Sequence, residues 1–431
     1  MSATTTVGAE LPRGPGLPGA RPASLGEALR GHSNSLGFLR LVLAALVIFH
    51  HSFPLGGFGE DPMIAWSHGQ ATLGSLAVAG FFAISGYLIA KSGMNADVVQ
   101  FMWRRALRIF PAFWGVLIFA AFVIGPTIWL LDGNALAEYF ARGGASPYGY
   151  LMSNWTLDIG TYGIRDIFTE TTPYGQHVEA SVINGSLWTL AYEWMCYLFI
   201  GAAVAAGVLL RARLVVPLFA LLLFGLQIVQ QVDPDALATA FPFFGDAKLV
   251  SLMLTFMLGA VLAVYAKKIP YSDGLGILAG VLVVVTLLNG GFELVGIPAA
   301  VYLALYLGAR IGGPLRVVGA KNDYSYGIYI YGFPVQQVLA YFGVYRWGYL
   351  AFTLIALAVT AGLAWLSWHV IEKRAMALKD RGPGRGWRHW YAVALATAAR
   401  RGAKASVGES TAQEPRPHGD ARVEHPAHRG Q

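Results

Sequence analysis

The stretch LRLVLAALVIFHHSF, residues 39–53, is almost all hydrocarbon, yet Arg40 stands near one end and His50 and His51 near the other. Its apolar run extends from Leu36 to Phe53, close to the roughly 20 residues an α-helix needs to cross a bilayer. Wound as a helix at about 100° per residue, the chain returns from Arg40 to His51 on nearly the same face, with His50 about 100° away. Ala44 and Val47 fill the stripe between them. The two polar ends are then separated by about 16 Å along the axis, half the hydrocarbon thickness. Two readings stand side by side: snorkelling of these groups to opposite interfaces, or a passage lined by small residues with an imidazole at its deep end.

The rest of the chain has the same character. Of 431 residues, 55% are hydrophobic and 13% charged, where a soluble domain carries about a quarter charged residues. Ten candidate spans follow: Leu36–Phe53, Leu73–Lys91, Leu107–Leu131, Leu187–Leu210, Leu214–Gln231, Ala247–Ala266, Gly274–Asn289, Leu294–Ala309, Tyr324–Gly343 and Gly348–Ile371. The fold class is therefore all-α, a polytopic membrane protein of about ten helices around a central cavity. Residues 1–35 and 375–431 read as tails; the N-terminal one lacks the apolar core of a signal peptide. Within the second tail, WRHWYAVALATAAR (387–400) reads as a short surface helix. The single cysteine, Cys196, cannot form an internal disulfide. No internal repeat supports an inverted-repeat transporter.

Charge fixes the orientation. With the N-terminus in the cytoplasm, of 31 Lys and Arg only Arg142, Arg165, Lys248 and Arg346 fall outside, as the positive-inside rule requires of ten spans with both termini inside. The net charge of +7 thus belongs to cytoplasmic loops, and no nucleic-acid partner is expected. The long outer loop, 132–186, mixes acids such as Asp158 and Glu179 with Trp155, Tyr162 and Tyr174. It reads either as a sugar-binding lid or as a polar cover on the bundle.

Polar groups recur at membrane depth. Gly80, Ser85 and Gly86 in GFFAISGYLIAKS allow close helix approach. WRRALRIFPAFW places Arg104, Arg105 and Arg108 before Pro111. The cluster is explained either by the positive-inside bias or by bidentate phosphate contact. In NGSLWTLAYEWMCY, Ser186, Thr189, Glu193 and Cys196 share one helical face. Burying Glu193 costs at least about 2.5 kcal/mol, so it is paired, protonated or functional.

Together these motifs resemble the membrane-bound acyltransferase-3 family over about Ser35–Arg374. Arg40 and His51 with ten residues between them, FFAISGYLI, RRALRIFP, SLWTLAYEW, YSYGIYIYGFPVQQ and WHVIEKR fall in the family's order. Gly332 stands where the ninth-helix motif often has a histidine, and no SGNH-type esterase domain is expected after the last helix.

The resemblance implies an O-acyltransferase of the plasma (inner) membrane that uses acyl-CoA, by default acetyl-CoA, and a hydroxyl of a surface or exported glycan, free or lipid-linked, with a separate extracytoplasmic partner possible in principle. No metal is implied. His51 is then the general base, with Glu193 orienting it; Arg40, Arg104, Arg105 and Arg108 hold the donor; Ser85, Trp188 and Tyr326 line the substrate cavity. Two alternatives remain: an acceptor that is a small metabolite or lipid precursor, and a proton-coupled transporter or flippase using the His and Glu.

Overall fold

The computed structural model describes residues 22–31, 34–94, 96–382 and 395–397. Among them there is no strand, only an isolated bridge between Ser24 and Pro270. Ten longer helices carry the fold: α1 Leu36–Gly56, α2 Leu73–Gly93, α3 Val98–Phe119, α4 Thr189–Ala205, α5 Val215–Val232, α6 Ala247–Val264, α7 Asp273–Asn289, α8 Ile297–Arg310, α9 Ser325–Tyr341 and α10 Tyr349–Ser367. Among the described residues, seven helical stretches are long and apolar enough to cross a membrane, and α4 and α7 are shorter apolar helices. The protein is a polytopic, all-helical membrane protein.

Helix α3 starts nine residues before the apolar run that announces it. Asp97 caps it, accepting from Val99 N and Gln100 N at 3.0 and 3.3 Å. Arginine lowers hydropathy without lowering helix propensity, so the arginine motif lies within the second and third turns of α3 rather than in a loop. A π-helical turn, Ala120–Ile124, then leads into Gly125–Leu131. Similar turns, Phe292–Gly296 and Trp368–Glu372, precede α8 and follow α10.

Helices α2 and α6 meet at their backbones. A Cβ on Gly86 would lie 2.0 Å from Phe256 O, and one on Gly259 2.3 Å from Ala83 O. Glycine on both partners is what lets two membrane helices approach this closely. Helix α1 packs between α2 and α9. Although α9 carries Ser325, Tyr329, Gln336 and Gln337, all four are buried; Gln336 Nε2 donates to Ile48 O and Ser52 Oγ at 2.9 and 2.8 Å.

The long connection after α3 folds onto the bundle. Tyr139 is buried and donates to Ala121 O at 2.7 Å, and Ile164, Phe168 and Ile183 are wholly buried. Trp155 stays exposed. Residues Ser24–Leu29, assigned to the tail by sequence, form a capped turn with Leu25 and Leu29 buried, and Leu25 N donates to Ile269 O at 2.9 Å. Two leucines are too short a run to register as apolar. Pro383–Gln431 is a second unit, in which Leu395–Thr397 is helical; the rest of the expected surface helix lies outside the described residues, whereas residues 375–382 of the expected C-terminal tail are described and include Asp380, which pairs with Arg104.

Candidate active site

One end of the bundle is held by an ion-pair network. Asp323, in the loop before α9, places Oδ2 2.6 Å from Arg40 Nη1 on α1 and 2.7 Å from Arg108 Nη2 on α3. Arg108 Nη1 reaches Glu372 Oε2 at 3.2 Å, and Asp323 Oδ1 accepts from Ser325 Oγ at 2.5 Å. Burial pushes the Asp323 carboxyl up, but the guanidinium groups of Arg40 and Arg108 outweigh it and hold the group at about 2.

The three arginines of the motif do not form one cradle. Arg104 pairs with Asp380 at 2.8 Å, half-exposed. Arg108 is committed to Asp323 and Glu372. Arg105 lies over Phe101, 5.9 Å from its ring centre, and makes no ion pair among the described residues. Arg40 is different: it lines open space on two sides.

That space forms a row of three cavities. The first, of about 350 Å³, opens at the arginine end and is lined by Arg40, Lys91, Arg316 and Asp323. The second, of about 40 Å³, has Arg40, Glu193, Tyr326, Val78 and Tyr329 in its wall. The third, of about 320 Å³, shares Val78 and Tyr329 with the second and holds His50, His51, Trp188, Lys248 and Glu293. Of the α1 stripe, Arg40 lines the first two cavities and Val47 and His51 the third, whereas Ala44 is packed into the core.

His51 stands in the third cavity, its ring 5.2 Å from those of His50 and Phe333. Glu193 does not orient it. The carboxylate is in the second cavity, accepting from Ser85 Oγ at 3.2 Å and Tyr197 Oη at 2.5 Å. The expected partnership of Glu193 and His51 is replaced by one of Glu193 with Ser85. Sharing one face of α4 placed Glu193 toward the interior but left its depth open, and it lies a full cavity nearer Arg40. Trp188 lies in the wall of the third cavity, with Lys248 Nζ 4.9 Å from its ring centre. Tyr326 donates to Ile109 O at 2.9 Å and carries Arg108 over its ring at 5.5 Å.

Sequence reasoning missed several members. Asp323 lies directly before the YSYGIY motif, the one acid in a loop with Arg316 and Lys321; that contrast was the available signal. Glu372 sits inside WHVIEKR. Asp61, followed by Pro62, is a helix-start signature. It caps Pro62–Trp66 and turns its other oxygen to His50. Lys248 and Glu293 carry no local signal, since each meets the cavity through the packing of distant helices.

Residues 33–369 match the acyltransferase domain family of the acyltransferase-3 type; the chain belongs to that family, and by class it is an O-acetyltransferase. It is 32% identical over 357 residues to the O-acetyl transferase of Shigella phage Sf6, covering 79% of this chain and 96% of the phage protein. It is 26% identical over 377 residues to Nodulation protein 10 of Rhizobium leguminosarum bv. viciae, covering 82% and 96%. No solved structure matches.

Proposed function

We propose that this protein moves an acetyl group from cytoplasmic acyl-CoA to a hydroxyl of a cell-surface or exported carbohydrate, in the plasma membrane, with ten spans and both termini inside. The observation that carries the reading is the unbroken sharing of walls from Arg40 to His51: Arg40 between the first two cavities, Val78 and Tyr329 between the last two. The first cavity suits the donor's phosphates. Arg40, Lys91 and Arg316 line it, and guanidinium groups match phosphate oxygens in bidentate geometry. Arg105, which makes no ion pair among the described residues, is a further cation of the arginine motif.

The waist admits a thin chain and excludes a nucleotide, which suits the pantetheine arm. The thioester then arrives beside the imidazole pair of α1. An imidazole of that pair takes the proton from the acceptor hydroxyl as its oxygen attacks the acyl carbon; the C–S bond breaks and the thiolate leaves. Glu193, held by Ser85 and Tyr197, keeps the waist polar. Trp188, Lys248, Glu293 and Gln70 give the third cavity a flat ring, both charges and an amide, a lining suited to a polyhydroxylated acceptor.

The test uses membrane vesicles carrying the wild-type or a Val78→Trp protein, radiolabelled acetyl-CoA, and separation of polymer, lipid and small-molecule fractions. Label is expected in the carbohydrate polymer with wild type and lost with Val78→Trp, which fills the waist. Label in the lipid or small-molecule fraction identifies the other acceptors; full transfer by Val78→Trp overturns the passage.

A further inference from the structure

The third cavity holds two opposite charges that do not pair with one another. Lys248 and Glu293 both line it, and no ion pair joins them among the described residues. Opposite charges free to move in a space of that size would close on each other. Each is instead kept in its own wall. Lys248 lies in the first turn of α6, where the cap Asp246 accepts from Lys248 N at 2.9 Å and from Tyr192 Oη of α4. The Lys248 ammonium rests over the ring of Trp188.

Glu293 is held from elsewhere. It belongs to the π-helical turn Phe292–Gly296, and its Oε2 accepts from Gln227 Nε2 and Gln231 Nε2 of α5, each at 2.5 Å. Those glutamines share one face of an otherwise apolar helix. Gln227 is 1% exposed, and an amide buried that far needs a partner. Gln70 pins the turn itself. Its Oε1 accepts from Phe292 N at 2.9 Å, while Nε2 donates to Thr286 O and Leu287 O of α7, both at 3.0 Å. One carboxylate oxygen of Glu293 is thus engaged by the scaffold. No described residue hydrogen-bonds the other, Oε1.

The two charges choose among sugars. An amino sugar that satisfies Glu293 meets the ammonium of Lys248, and a sugar acid that satisfies Lys248 meets the carboxylate of Glu293. A hydroxyl donates to one and accepts from the other, so an uncharged sugar suits both walls. The cavity, about 320 Å³, lies at the lower end of small-ligand sites and holds a single such unit. We infer that Glu293 is an acceptor-binding residue: its Oε1 takes the hydrogen of a hydroxyl other than the one acylated, and the unit that receives the acyl group is an uncharged sugar. The carboxylate takes no part in proton transfer. It decides which hydroxyl of the ring faces the imidazoles of α1. The inference rests on the acyl-transfer reading above.

The experiment follows thiol release from acetyl-CoA by the purified full-length protein in nanodiscs as envelope carbohydrate extract is added. Wild type, Glu293→Gln and Gln227→Leu are compared. The first variant keeps the shape of the side chain and removes its charge; the second loosens the carboxylate from outside the cavity wall. The extract concentration giving half the maximal rate should rise at least about tenfold for Glu293→Gln, the worth of a hydrogen bond to a charged group, and about threefold for Gln227→Leu. KM for acetyl-CoA should stay within about twofold in both. Added methyl glucoside should compete with extract on wild type more strongly than glucosamine or glucuronate. A purely structural tie between α5 and the turn predicts the opposite split, a lower melting temperature with unchanged half-saturation, and that result overturns the inference. Equal or stronger competition by either charged sugar overturns the choice of an uncharged one. A wild-type protein that releases no thiol in response to extract overturns the acyl-transfer reading itself.

Discussion

Replacing Asp323 with asparagine leaves the shape of the side chain and removes its charge. In the wild type that carboxylate ties Arg40 of α1 to Arg108 of α3 and accepts from Ser325 at the start of α9. Its side chain is 18% exposed, so solvent screens it little. The guanidinium groups hold it at about 2 against an ordinary 3.8. At about 1.4 kcal/mol for each tenfold change in proton affinity, the charge contributes about 2 kcal/mol at neutral pH. Leaving two guanidinium groups with only Glu372 to share raises the loss toward 3–5 kcal/mol, the range for breaking buried pairs. The sign in pH follows from a depressed carboxylate. The stabilisation is complete above about 3.9, the unfolded value, and is lost as pH falls through about 2. Thermal unfolding of the detergent-solubilised protein, followed by tryptophan fluorescence from pH 7 to pH 2, is the assay. Asp323→Asn should melt on the order of 5 °C lower at pH 7, with the gap closing toward pH 2. Equal melting at pH 7, or a gap undiminished at pH 2, refutes the reasoning.

Gly86→Ala should destabilise the protein by about 3 kcal/mol or more, because its methyl would meet the backbone oxygen of Phe256 and force α2 from α6. Gly280→Ala, whose methyl meets nothing within 4 Å, is the control and should melt no lower than wild type. Lys248→Ala should raise KM for the acceptor several-fold and leave KM for acetyl-CoA unchanged, read from initial rates with each substrate varied in turn; a change confined to the donor would remove Lys248 from the acceptor cavity.

The helices were legible because a bilayer demands long apolar runs, and such runs are local. So was the stripe from Arg40 to His51, which needs only helical periodicity. The arginine motif was legible as charge but not as chemistry. Asp380, Asp323 and Glu372, which take up Arg104 and Arg108, lie more than 200 residues further along the chain, and no local pattern reports on them. The depth of Glu193 failed for a related reason: position along α4 says how far a residue is from a helix end, not which neighbour stands beside it. The His50–Asp61 contact spans only eleven residues, yet it depends on the chain reversing after α1, through Gly57 in the left-handed region at φ 70°. A reversal of that kind is set by backbone torsions and by the burial of Asp61 under α2, neither of which composition displays.

The waist at Val78 and Tyr329 has a consequence for the cell as a whole. Its space of about 40 Å³, with Arg40 in its wall, holds about one water molecule. A continuous aqueous column joining the two compartments would dissipate the membrane potential with every copy of the protein. On the acyl-transfer route proposed above, the acyl group would cross while a hydrated ion would meet a plug and the charge of Arg40, so chemistry would be delivered outward without short-circuiting the gradient that powers the envelope.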